Sequence, residues 1–491
     1  MLDLLAAADH KAPAVLDHHG AVLTYGDLER ASERLATGFV RAGVTKGDRV
    51  AYQVQKSPGA LIVHLALLRC GVIQVPLNPD YTDDETALLL RDAEPVMLIR
   101  EAGREPLAGP WRQLALDAGG SGCVPELNVG GDHPAALLPH VGPDDGAALL
   151  YTSGTTGRPK GALLSHANLE ANATTLVNEW EFGPTDRLLH VLPLFHTHGL
   201  FVAAHCVLTS GASMVLLPRF DVGEVLDHLP SCSVMMGVPT HYTRLLADER
   251  FGAANCKAVR LFVSGSAPMT PAVHAEFTRR TGAQILERYG MTETSMLTSN
   301  PLHGHRRPGT VGPALPGVAI RVVDDRDQPL SDGETGGVQV SGANVFAGYW
   351  RRPDLQDETF TDDGWFRTGD LGRFDADGYL ELVGRSKDLV ITGGLNVYPT
   401  DVEVVLDALP GVKESAVIGL PDPDLGEVVV GVVVAEPGAL LDPDELRAAA
   451  RELLAGYKTP KHIVVADSLP RNVMGKVQKS SLRAQLIESA T

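Results

Sequence analysis

The run DGAALLYTSGTTGRPKGALLSH, residues 145–166, decides how this chain is read. An apolar strand over 147–151 feeds a loop that holds Gly154, Gly157 and Gly161, the hydroxyl residues Thr152, Ser153, Thr155 and Thr156, and Lys160. Glycines let a backbone wrap closely around an anion, hydroxyls and amide N–H groups donate to phosphate oxygens, and a lysine adds charge. The spacing is not Gly-x-x-x-x-Gly-Lys-Ser/Thr, so the ordinary P-loop assignment fails. A lone Gly/Ser/Thr loop is usually a plain turn, but ten residues in this order behind a strand point to a phosphate ligand.

Outward from the loop, short apolar runs over 213–217, 234–236 and 259–263 alternate with helical stretches, which argues for βα units around buried sheets. Upstream, Leu28, Ala31, Leu35 and Phe39 recur at helical spacing behind Thr24, predicting a helix over 25–42 and then a strand over 48–54. Thr270, Pro271 and Gly282 bound another helix. Residues 100–141 lack periodicity and read as an irregular surface crossing. Beyond 385–388 the remaining residues carry their own helix and strands, with Thr400 and Glu403 spaced as a capping box and GEVVVGVVVAE as a buried strand. The expected fold class is therefore α/β: a large N-terminal domain of several sheets with helices over 1–384, a hinge over 385–388, and a small mobile α+β domain over 389–491.

The 491 residues are 44% hydrophobic and 21% charged, with 51 Gly and 33 Pro, which excludes a collagenous, disordered or disulfide-stapled chain. A net charge of −19 speaks against a nucleic-acid partner or an anionic lipid surface, so any anionic ligand needs a local site. The stretch 61–77 carries His64, Arg69 and Gln74 and is no membrane span. The first residues, MLDLLAAADHKAP, show no secretory pattern. Five scattered cysteines without Cys-x-x-Cys pairs fit reduced thiols. The expected setting is cytoplasmic; oligomeric state is not legible.

YTSGTTGRPKG resembles the phosphate loop of the adenylate-forming superfamily, which holds acyl-CoA synthetases, luciferases and peptide-synthetase adenylation domains. Further segments match that family in order: SGSAP at 264–268, ERYGMTET at 287–294, FRTGD at 366–370 with GRSKDLVITGGLNVYP at 384–399, and LPRNVMGK at 469–476. The resemblance covers essentially the whole chain. It implies that a carboxylate attacks the α-phosphate of ATP and that the thiol of coenzyme A then displaces AMP. Two anions react first, so the site must supply positive charge where they meet.

The resemblance implies that Lys476 supplies that charge, that the loop from Thr152 to Gly157 with Lys160 holds the β- and γ-phosphates, and that Glu293 positions Mg2+. It places the ribose hydroxyls on Asp370 with Arg385 assisting, the adenine between Tyr289 and Ser266–Ala267, and Thr292 near the α-phosphate. Glu287, Gly290 and Met291 belong to the same nucleotide segment. Lys387 falls at the family's hinge position, and Gly393 and Gly394 would line the pantetheine tunnel after the small domain rotates.

For the acid, the resemblance implies that VLPLFHTHGL puts His196 at the family's aromatic or His position beside the reacting carboxylate, with Thr197 and His198 adjacent. Arg288 stands where relatives carry a small, polar or apolar residue. A buried guanidinium is costly without an anionic partner and matches a carboxylate bidentately, so Arg288 points to a second carboxylate on the substrate unless it pairs with Glu287 or another protein acid. FHTHGLF with ERYGMTET closely resembles malonyl-CoA synthetases, in which Met296 and Thr197 would crowd the C2 substituent. Arg244 is a candidate second basic contact, with a helix-surface role as its alternative. A short fatty or aryl acid ligase is the nearest rival, and a noncatalytic nucleotide-binding protein a more distant one.

Overall fold

The structure, a computed structural model, describes residues 4–6, 8–117, 127, 138–152, 159–472 and 475–489. Among these residues the N-terminal part builds three sheets. An eight-stranded sheet runs in the order Ser295–Ser299, Ile285–Met291, Leu261–Ser264, Val234–Gly237, Arg187–His190, Ser213–Leu216, Pro13–Asp17, Val22–Thr24. Its inner strands pair in parallel and its two end strands antiparallel. A six-stranded sheet runs Arg112–Leu116, Met97–Glu101, Arg49–Gln53, Ile73–Pro76, Gly146–Thr152, Lys160–Ser165. The largest apolar core lies between these sheets, where helices Tyr25–Arg41 and Pro58–Arg69 bury Leu28, Phe39, Leu61 and Leu65. A four-stranded antiparallel sheet, Val318–Val323 through Leu380–Arg385, completes this part.

Chain order decides where a ligand can sit. From Arg187–His190 the chain moves to one neighbour, Ser213–Leu216, and then returns to the other side at Val234–Gly237. Such a reversal opens a crevice at the carboxyl ends of the parallel strands. Those ends deliver His190, Gly237, Ser264 and the Arg288–Tyr289 pair to one place.

The C-terminal part is a five-stranded sheet built on Gly426–Ala435 and Val412–Asp422, with helices Pro399–Asp407, Pro443–Leu453 and Lys479–Ser489. A single 3-10 turn, Ser386–Asp388, connects it to the four-stranded sheet. Two expectations need correction. Residues 112–116 form an edge strand with Leu114 and Leu116 buried, not a surface crossing; five alternating residues after a Gly/Pro-rich run carry too little periodicity to be seen. Thr400 and Glu403 form no capping box. The helix starts at Pro399 behind Tyr398, and the Glu403 carboxylate instead accepts from Val417 N at 2.7 Å and pairs with Lys479 at 2.6 Å. No helix among the described residues is long and apolar enough to cross a membrane.

Candidate active site

Residues 153–158 lie outside the described residues, and with them Ser153, Gly154, Thr155, Thr156 and Gly157, as does the side chain of Thr152. The strands on either side of them are described: Thr152 pairs with Lys160 across an antiparallel ladder. The Lys160 ammonium lies 5.5 Å from the ring centre of Tyr349. The Tyr349 hydroxyl in turn donates to Glu293 Oε1 at 2.8 Å. Sequence reasoning missed Tyr349, because nothing in its local pattern signals a partner 56 residues away.

Glu293 is buried, and desolvation raises its pKa while the Tyr349 hydrogen bond works against that rise. Among the described residues no three His, Cys, Asp or Glu side chains gather into a metal cage. A single buried carboxylate linked through Tyr349 to Lys160 nevertheless fits Mg2+, which binds through one or two carboxylates together with substrate phosphates and water.

Tyr289 and Asp370 form the next group. The Tyr289 hydroxyl donates to Asp370 Oδ2 at 2.5 Å, and Arg385 Nε meets Asp370 Oδ1 at 2.6 Å. Each carboxylate oxygen therefore holds one protein donor and keeps a second lone pair for a ligand. This arrangement ties strand Ile285–Met291 to the four-stranded sheet and to Arg385, the residue before the 386–388 turn. Thr292 sits half-buried in the turn between strands Ile285–Met291 and Ser295–Ser299, in which Gly290 pairs with Met296 and Met291 with Ser295.

The crevice floor is polar and incompletely paired. Ser266, in the left-handed region with φ 71°, brings its hydroxyl to 3.3 Å from His198 Nδ1, and Ala267 follows it. The His198 amide donates to His196 Nδ1 at 3.2 Å. His198 also opens a π-helical turn, His198–Ala204, a form that recurs at functional sites. Burial, and secondly the nearby Arg288 charge, pushes His196 down to about 4 and drives His198 well below the usual histidine value. Both imidazoles are therefore neutral at physiological pH.

Arg288 is 3% exposed, and its Nε and Nη2 have no hydrogen-bond partner among the described residues. Burial pushes it down to about 9, so it remains a cation. Thr197 Oγ1, His198 Nε2 and Ser264 Oγ are buried without partners as well. Glu287 does not neutralise Arg288. It binds His274 Nε2 at 2.9 Å and accepts from Gly309 N at 3.3 Å, on the opposite face of the strand. Met296 is buried nearby. Arg244, on helix Pro239–Leu246, is exposed and not gathered with these groups. Sequence reasoning also missed Lys56, whose ammonium donates to His190 O at 2.7 Å.

Lys476 enters from the C-terminal part. It is accessible in the cleft, where desolvation and the Arg385 charge lower its pKa while Asp370 and Asp388 act the other way. Lys387 occupies the middle of the exposed 386–388 turn. Gly393 and Gly394, at φ 56° and 77°, make the two-residue turn of a hairpin, where both positions need the left-handed conformation. That turn contacts Leu425 of its own domain and is not brought to the crevice.

Residues 3–350 match the family described as AMP-binding enzyme, and residues 401–476 match the AMP-binding enzyme C-terminal domain. The chain belongs to the AMP-binding enzyme family. This AMP-binding enzyme is 38% identical to a feruloyl-CoA synthase from an Amycolatopsis species, over 95% of the chain and 94% of the relative. It is 35% identical to a malonate–CoA ligase from Xenopus laevis, over 96% of the chain and 89% of the relative. Its fold superposes on ATP-bound MatB from Rhodopseudomonas palustris with a TM-score of 0.93 at 44% identity, covering 100% of this chain and 98% of that one. The two-domain α/β architecture and the adenylate-forming motifs are thus those of this family.

Proposed function

We propose that this AMP-binding enzyme is an acid–CoA ligase that joins a small dicarboxylic acid, malonate and with it methylmalonate, to coenzyme A through an acyl-adenylate. The observation that carries the diacid is Arg288, a buried guanidinium with unpaired Nε and Nη2 at the floor of the crevice. An uncompensated buried charge costs several kcal/mol, roughly 3–5 when a partner is removed, so its geometry favours a ligand that supplies the missing carboxylate. Thr197 Oγ1, His198 Nε2 and Ser264 Oγ, buried without partners among the described residues, offer that ligand further hydrogen bonds.

In this reading Arg288 holds one carboxylate and points the other toward the nucleotide. A carboxylate oxygen attacks the α-phosphorus of ATP, the bond to pyrophosphate breaks, and Lys476 lies against the negative charge that develops. Neutral His196 adds polarity beside the reacting carboxylate without a competing cation. Asp370, steadied by Tyr289 and Arg385, fixes the ribose, and the loop over 152–157 with Lys160 holds the outer phosphates. Glu293 would hold Mg2+, which when bound offsets phosphate charge. A thiol of coenzyme A then attacks the acyl carbon and AMP leaves. Thiolation calls for a second arrangement, so we assign 1–384 to the large domain, 385–388 with Lys387 to the hinge, and 389–491 to a mobile domain whose Gly393–Gly394 turn would line the thiol's path.

The test is pyrophosphate and AMP release across malonate, methylmalonate, acetate, butyrate, ferulate and benzoate, for wild type and Arg288→Ala. Malonate should lead, and Arg288→Ala should lower its kcat/KM by roughly 30-fold or more while sparing butyrate. An unchanged malonate kcat/KM in the variant removes the clamp. Preference for ferulate or benzoate favours an aryl acid ligase, and no AMP from any acid removes the ligase reading.

A further inference from the structure

Lys476 lies between strand His462–Ala466 and helix Lys479–Ser489, in neither element. A cation needed at one point in the cleft gains little from a loosely held loop. The loop is pinned at its base: Gln478 N donates to Pro470 O at 2.8 Å, Asn472 N to Lys476 O at 3.0 Å, and Lys476 N to Asn472 Oδ1 at 3.0 Å. Those bonds close the loop on itself, and at its base Leu469 and Val477 pack on the C-terminal sheet. Arg471 ties the part nearest Lys476 to that sheet. Its Nη1 donates to Gly475 O at 2.5 Å, and its Nη2 pairs with Glu414 on strand Val412–Asp422 of the C-terminal sheet. A guanidinium is a rigid planar fork, so one side chain fixes the angle between the sheet and the peptide group that precedes Lys476.

The far side of that peptide meets the large domain. Gly475 has φ 74°, and a Cβ there would stand 2.8 Å from Thr240 Oγ1 and 2.9 Å from Thr240 Cγ2. Thr240 lies on helix Pro239–Leu246, directly after the crevice strand Val234–Gly237. Gly475 is thus held from behind by Arg471 and seated in front on Thr240.

We propose that Arg471 is a positioning residue for adenylation. Tied to Glu414, it holds Gly475 on Thr240, and this seat places Lys476 in the cleft. The proposal rests on the reading of Lys476 given above. A partly exposed ion pair of this kind adds little to stability, so its effect should appear in orientation and rate more than in folding.

The experiment separates the half-reactions, with ATP–pyrophosphate exchange for adenylation and CoA consumption from a supplied acyl-adenylate for thiolation. Arg471→Ala should lower the exchange kcat by about 100-fold, the scale of a 1 Å misplacement, with KM for ATP and thiolation unchanged. Arg471→Lys, which keeps the charge but loses the fork, should fall between. In the double variant Arg471→Glu/Glu414→Arg the ion pair is restored but no donor reaches Gly475 O, so exchange should stay low. Recovery in that double variant, or equal loss of both half-reactions in Arg471→Lys, overturns the proposal. Lys476→Ala is the control: if it retains exchange, the reading of Lys476 itself fails, whereas a dead Lys476→Ala beside an unimpaired Arg471→Ala refutes only the positioning role.

Discussion

The Arg288 guanidinium lies against Gly265 so closely that a Cβ at position 265 would stand 2.3 Å from its Cζ and Nη1. Gly265 follows strand Leu261–Ser264, and Arg288 belongs to the neighbouring strand Ile285–Met291, so the proposed clamp would sit between adjacent parallel strands. Gly265→Ala should displace Arg288 without removing its charge. Overpacking costs about 1–3 kcal/mol, enough for about a tenfold fall in malonate kcat/KM if it is spent on the clamp. The check is the malonate-to-butyrate ratio of kcat/KM. An equal fall for both acids would show general damage to the pocket instead.

Met296 pairs with Gly290, two residues after Arg288 on the neighbouring strand. It is 2% exposed, and its carbonyl accepts from Asn172 Nδ2 at 2.9 Å and Asn344 Nδ2 at 3.1 Å. That pinned backbone cannot readily collapse into a void. Met296→Ala should therefore leave a real cavity, cost about 2–5 kcal/mol of stability, and raise activity on malonates with bulky C2 groups relative to malonate. Thermal denaturation reads the first effect, and a series of C2-alkyl malonates the second. A variant that is destabilised with an unchanged substrate ratio places Met296 in the core and away from the acid.

The features that were legible in the sequence are those whose partners are near in the chain. Thr24 caps its helix through Asp27, and Thr270, Pro271 and Gly282 bound theirs as the spacing predicts. Each of these is set within a few residues. Thr400 and Glu403 show the limit of such reasoning. Their spacing is right, but a longer-range competitor, Val417 N with Lys479, takes the carboxylate. Arg288 is legible as an anomaly of residue type; that its Nε and Nη2 find no partner among the described residues is not, because Glu287 turns to His274 only in the folded strand. The Glu293–Tyr349 and Gly475–Thr240 pairs join segments far apart in sequence and exist only once the sheets and domains have assembled.

Lys387 offers a test of the hinge. It is the central residue of a 3-10 turn, and Ser386 ties that turn to the large domain by donating to Gly369 O at 3.1 Å. Such turns hold φ near the value proline imposes. Lys387→Pro should therefore be accommodated in the present orientation and resist the backbone change that rotation requires. ATP–pyrophosphate exchange should persist at the wild-type rate while thioester formation falls about tenfold or more, the effect of shifting a domain equilibrium by about 1.4 kcal/mol. Parallel loss of both half-reactions would reject the hinge role.

Acid sensitivity should come from the core between the two large sheets. His64 Nδ1 meets Gln74 Oε1 at 2.8 Å, and His64 Nε2 lies 3.0 Å from His205 Nε2. His166 is fully buried, and neither ring nitrogen has a partner among the described residues. Burial pushes His64 and His166 down to about 4, and drives His205 well below its usual value. A histidine whose folded pKa is depressed takes up its proton in the unfolded chain first, near pH 6.5. Between that value and about 4 the unfolded state binds more protons, so stability is retained above about pH 6.5 and falls as the pH drops through this window. A shift from 6.5 to about 4 corresponds to about 3 kcal/mol per histidine over the window. Urea midpoints should hold from about pH 8 to 6.5 and decline steadily toward about pH 4.5. His166→Leu replaces an unpartnered buried imidazole by an apolar side chain, so it should leave the midpoint at neutral pH unchanged or higher and make the decline shallower. The same slope in that variant as in wild type would locate the acid sensitivity elsewhere in the chain.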